Sequence, residues 1–102
     1  MIPWKEVFMR EYELAFIITT EIDEATTSEM VDKIRGWITE LGGSIEKENV
    51  LGRKKLSYMI RKQKEGQYFI FDVKLPTTGI AVLERRLQLQ ESILRYLTLK
   101  RE

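Results

Sequence analysis

Along this chain the hydrophobic period switches repeatedly between that of a strand and that of a helix, and the order of the switches leaves few folds open. Tyr12–Thr19 alternates, with Tyr12, Leu14, Phe16 and Ile18 on one face and Glu13, Ala15, Ile17 and Thr19 on the other. From Asp23 to Leu41 the apolar residues move to helical spacing, and Met30, Ile34, Trp37, Ile38 and Leu41 make one stripe. Asp23 is placed to cap this helix, and Gly42–Gly43 to end it. Ile45–Arg61 reads as a long strand bent at Gly52, with Leu56, Tyr58 and Ile60 on one face. A polar turn at Lys62–Gly66 comes next. Gln67–Leu75 then sets Phe69, Phe71, Val73 and Leu75 against Tyr68, Ile70 and Asp72, and Pro76 closes that strand. Thr77 or Thr78 is expected to cap a second helix running to about Leu89, with Ile80, Leu83 and Leu87 as its stripe. Ile93–Lys100 is a last strand whose alternation can be read either way.

The element order is therefore β-α-β-β-α-β. Right-handed crossovers turn that order into one compact arrangement, an α+β split β-α-β sandwich of the ferredoxin-like kind. A four-stranded antiparallel sheet carries both helices on one face and leaves the other open. Trp37 and Phe71 are predicted to be buried. The open face is expected to show Ala15, Ile17, Tyr68 and Ile70, joined by Tyr96. That face can be a docking surface or merely scattered apolar exposure, and the sequence leaves both readings standing. This architecture hosts many unrelated functions, so the fold alone does not decide what the chain does.

Composition narrows the chemistry. With 102 residues, 43% of them hydrophobic, the chain supports one core and not two. It contains no Cys and no His, which removes disulfides, zinc fingers, thiolate nucleophiles and imidazole bases. There is no glycine-rich phosphate loop, no calcium loop and no nucleophile–base set, so no catalytic residue, metal site or cofactor is expected. Glu46 and Glu48 share a strand face, which is an ordinary surface pattern. No apolar run approaches the length of a membrane span, and Met1–Met9 lacks the features of a signal peptide.

Net charge is only +1, but its distribution is uneven. Glu11–Asp32 holds seven acidic residues and no basic one. Val50–Lys64 holds six basic residues (Arg53, Lys54, Lys55, Arg61, Lys62 and Lys64) and no acidic one. Such a run can meet RNA phosphates, but taken alone it favours a merely solvated lysine-rich face. Tyr58 sits in register with Leu56 and Ile60, which favours a core position over a stacking one.

The run Gly52-Arg53-Lys54-Lys55-Leu56-Ser57-Tyr58-Met59-Ile60 resembles the signature of the bacterial small-subunit ribosomal protein six family. Met9-Arg10-Glu11-Tyr12-Glu13 is similar to that family's opening, and Gly66-Gln67-Tyr68-Phe69 to its third-strand entry. The resemblance covers about Met9 to Lys100 and sets Met1–Phe8 apart as an N-terminal extension to a single domain over 9–102. It implies a ribosome-associated cytoplasmic protein that binds the central domain of small-subunit ribosomal RNA together with small-subunit ribosomal protein eighteen. The RNA contacts it implies are Arg10, Lys54, Lys55, Lys62 and Arg95, and Arg53 joins them as part of the basic run. Ile17, Tyr68 and Ile70 are the expected partner-binding residues. The family's aromatic positions fall on Tyr12 and Tyr58. The chain ends at Glu102, short of the C-terminal tail that helps many members hold their partner.

Three rival readings share the fold. A general RNA-recognition module would carry a glycine–aromatic run where Gln67-Tyr68-Phe69-Ile70 stands. A small-molecule regulatory domain would need a glycine-rich turn where Thr19-Thr20-Glu21 stands. A small enzyme would have to work without His or Cys.

Overall fold

A computed structural model describes residues 9–101. The extension expected over 1–8 lies outside the described residues. The elements are β1 (Met9–Thr19), α1 (Glu24–Glu40), β2 (Ser44–Ile60), β3 (Gln63–Pro76), α2 (Ile80–Gln88) and β4 (Ile93–Arg101). The strands form one sheet in the order β2-β3-β1-β4 with every neighbouring pair antiparallel. This is the β-α-β-β-α-β arrangement that the hydrophobic periods predict.

One core lies between the sheet and the helices. Leu14, Phe16 and Ile18 of β1 and Phe69, Phe71, Val73 and Leu75 of β3 bury their side chains against Ile34 and Ile38 of α1 and Leu83 and Leu87 of α2. Phe16 stacks on Phe69 with ring centroids 5.0 Å apart and meets Phe71 edge-on at 5.2 Å. Asp23 caps α1 as expected, its Oδ1 accepting from the Thr26 amide at 2.8 Å.

Several expectations change. Trp37 is only partly buried, while Val31 is 5% exposed, so the stripe of α1 is turned toward Val31 relative to its sequence reading. No threonine caps α2: the helix starts after Gly79, which makes no side-chain cap bond and whose amide donates to Pro76 O at 2.8 Å. The polar stretch Lys62–Gly66 is not a loop. β3 begins at Gln63, and the turn is the two residues Arg61 and Lys62, with φ of 51° and 66°. Two left-handed residues match the twist of a tight hairpin, which other sequences build with Asn-Gly. β2 is bent at Gly52, whose φ of 86° accompanies a break in register between Val50 and Gly52.

β4 resolves its own ambiguity through a register shift between Ile17 and Ile18. Ile93 and Leu94 are both buried. Tyr96 then packs against the core, and Thr98 bonds Glu84 of α2, so the even positions turn toward the helices. Tyr96 is therefore not on the open face; Arg95, Leu97 and Leu99 occupy its place.

Candidate nucleic-acid and partner interface

The register of the sheet builds the open face in rows. Ile70 of β3 stands opposite Ala15 of β1, which stands opposite Leu97 of β4. In the next row Tyr68 faces Ile17, which faces Arg95. The expected partner-binding residues Ile17, Tyr68 and Ile70 therefore lie together on two adjacent strands. Each is half-buried rather than fully exposed. A shallow concavity of about 360 Å³ lies over this floor, lined by Ala15, Ile17, Tyr68, Arg95 and Leu97 among others. On the other side of the Ile70–Ala15 row, Asp72 faces Glu13. Asp72 Oδ1 is buried without a hydrogen bond, although Arg101 Nη1 approaches to 2.8 Å as an ion pair.

The basic residues do not gather into one patch. Pairing sets Lys54 opposite Gly66, on the open-face side. Arg53 and Lys55 sit opposite Gln67 and Glu65, on the other side of the hairpin, where Gln67 reaches Thr27 of α1. Arg53 also lies 3.8 Å from Glu65, a loose and exposed ion pair. Lys62 is at the turn. Arg95 is on β4, at the opposite edge of the sheet. Arg10 lies near the start of β1, roughly 30 Å of strand away from the Thr19 end where the hairpin leaves the sheet. What unites these residues is exposure: Arg10, Arg53, Lys54, Lys55, Lys62 and Arg95 are all exposed, as cations that meet phosphates must be.

Tyr58 departs most from its sequence reading. It is 56% exposed and not part of the core. Between the pairs Lys55↔Glu65 and Ile60↔Gln63, β2 has four residues (Leu56 to Met59) where β3 has one. That bulge breaks the alternation that put Tyr58 with Leu56 and Ile60. Arg95 donates to the Tyr58 hydroxyl, and its guanidinium lies 5.4 Å from the centre of the Tyr58 ring. Tyr12, the other aromatic position, is 8% exposed and belongs to the core. Arg61 is legible in the sequence only as a member of the basic run; Leu97 and Leu99 are not among the residues expected on the open face, and the odd positions of β4 are the signal for them.

A family profile described as Ribosomal protein S6 matches residues 11–100. The chain belongs to the ribosomal protein S6 family. Small ribosomal subunit protein bS6 of Salinispora arenicola is 40% identical over 87 residues, covering 85% of this chain and 91% of that one. The bS6 of Halalkalibacterium halodurans is 34% identical over 94 residues, or 92% of this chain and 99% of the relative. Among solved structures, the crystal structure of 30S ribosomal protein S6 from Thermotoga maritima superposes with a TM-score of 0.87 at 28% identity. It covers 92% of this chain and 89% of the other. S6 proteins are structural constituents of the small subunit, and the S6 fold is the one described above. Among the described residues no helix is long and apolar enough to cross a membrane.

Proposed function

We propose that this chain is a structural component of the small ribosomal subunit that binds the central domain of small-subunit ribosomal RNA jointly with small-subunit ribosomal protein eighteen, and that it catalyses no reaction. The match to the S6 family across residues 11–100 carries the reading. Residues 9–102 act as one ribosomal protein domain behind an extension at 1–8, in a cytoplasmic particle. Arg53, Lys54, Lys55 and Lys62 on the hairpin meet phosphates, with Arg95 on the opposite edge strand and Arg10 at the far end of the sheet. Such spacing suits an RNA held along the length of the protein rather than gripped at one spot.

The partner supplies what the charge does not. A chain of net charge +1 has a weak global field for RNA, and two proteins that dock on each other pool their phosphate contacts. Ile17, Tyr68 and Ile70, continued by Leu97, form the apolar part of the docking face. The test is titration of central-domain RNA with this chain alone, then with protein eighteen present. Cooperative tightening is expected. Tight binding by the chain alone, unchanged by the partner, would refute joint binding. Cooperative binding that survives Ile17→Asp and Ile70→Asp would move the docking face elsewhere and leave the joint mechanism standing.

A further inference from the structure

The bulged end of the β2–β3 hairpin reaches across the open face from one edge of the sheet to the other. Tyr58 belongs to β2 and Arg95 to β4, with β3 and β1 between them. Two further contacts hold the crossing. Arg61 Nη1 donates to Glu91 O at 2.8 Å, just ahead of β4. Leu56 leans over Gly66: a Cβ added at Gly66 would stand 3.7 Å from Leu56 Cδ2 and would collide with Ile17 Cγ2. Only a glycine lets Ile17 and Leu56 converge there. Leu56–Met59 thus forms a strap that borders the apolar concavity at its Ile17 end, and Arg95 is both its anchor and part of the concavity's lining.

The anchor is weak enough to open. Within the bulge β2 lacks a regular ladder to β3, so the strap can move without breaking the sheet. The exposed cation–π contact by itself contributes only about a fivefold preference for the closed form.

We propose that Arg95 serves two exclusive partners and so makes the strap a lid released by RNA. Clasped to Tyr58, Arg95 holds the strap over the apolar floor. Drawn onto an RNA phosphate, it lets go of Tyr58 and frees the Ile17 end of that floor. Whatever opens the lid from either side favours binding on the other, because the coupling is reciprocal. This rests on the RNA-binding reading above.

The chain has no cysteine, so a nitroxide pair on Met59→Cys and Leu99→Cys is unique and reports the distance between strap and β4. Both positions are exposed. In the free protein a short, closed distance is expected to dominate. Addition of central-domain RNA should shift the population to a longer one. Adding Tyr58→Leu, or independently Arg95→Met, should give the longer distance without RNA, and either folded variant suffices. RNA that binds with no change in the distance distribution would overturn the lid and leave RNA binding intact. RNA that does not bind at all would overturn both. A short distance retained in both Tyr58→Leu and Arg95→Met would show that the clasp does not hold the strap.

Discussion

Arg35 of α1 grips Glu48 of β2 with two hydrogen bonds, Nε to Oε2 at 2.7 Å and Nη2 to Oε1 at 2.8 Å, while its Nη1 turns to Asp32 at 2.5 Å. This pair ties the first helix to the edge strand that carries the basic run. The hydrogen bonds from Arg35 hold the Glu48 carboxyl below its ordinary value of 4.5. The Thr26 side chain, and after it the Thr26 amide, do the same for the Asp23 cap by hydrogen bonding to its carboxylate.

Both carboxyls therefore link stability to acid. A group whose pKa falls on folding contributes fully above its unfolded value and loses that contribution as pH drops through the folded one. Thermal stability should be level near neutrality and decline as pH falls below about 4.5. Glu48→Gln should remove part of that decline and cost about 0.5 kcal/mol at pH 7, since the pair is half in solvent and screened by salt. Melting curves from pH 7 to pH 3 check this; an identical acid slope in the variant would remove Glu48 from the account.

The two-residue turn is expected to set stability against function. Arg61 and Lys62 both occupy the left-handed region, which side chains other than Gly and Asn enter at a cost. Lys62→Gly should raise stability by about 0.5–1 kcal/mol while weakening RNA binding by one phosphate contact. Urea midpoints and an RNA titration on the same variant measure both sides.

Charge reversal on the hairpin gives the phosphate test. Lys54→Glu with Lys55→Glu should weaken binding to central-domain RNA and lower the slope of log K against log salt by about 1.5, as two contacts are lost. Lys33→Glu with Arg85→Glu, on the helix side, is the matched control. Arg35 cannot serve there, because it holds Glu48. An unchanged slope in the hairpin variant would mean that these lysines do not meet phosphates.

Core substitutions separate Phe71 from Trp37. Phe71 is 0% exposed and meets Phe16 edge-on, so Phe71→Ala should cost about 3–5 kcal/mol. Trp37→Ala should cost less, since part of its ring is in solvent. Denaturant unfolding of the two variants ranks them.

How far the fold can be read in the sequence depends on how many sides of an element are covered. β1 and β3 each press one face on the helices, so their alternation is regular and every buried position from Leu14 to Ile18 and from Phe69 to Leu75 is foreseeable. β2 is an edge strand with only half-buried contacts such as Ile45, Leu56 and Ile60. Its residues feel little pressure to alternate, and nothing in the local pattern announces the bulge that turns Tyr58 outward. Lys62–Gly66 is polar because the hairpin is wet on both sides, and that polarity imitates a loop. In β4 the shift at Ile17/Ile18 buries Ile93 and Leu94 in succession, which hides the parity of the residues from Arg95 onward. The basic run is legible as a run. Its division between the two sides of the hairpin depends on register, and register is a property of β2 and β3 together.

The edge position of β2 gives the basic run another consequence. An edge strand offers unpaired backbone groups to any other strand that approaches, and a long flat one invites aggregation. β2 has 17 residues but carries Lys47, Arg53, Lys54 and Lys55 along it and loses register with β3 at three places. Charge repels a second copy, and the breaks spoil the straight template that the copy would need. The same cations thus also guard the free chain against edge pairing, so neutralising them without RNA should promote self-association.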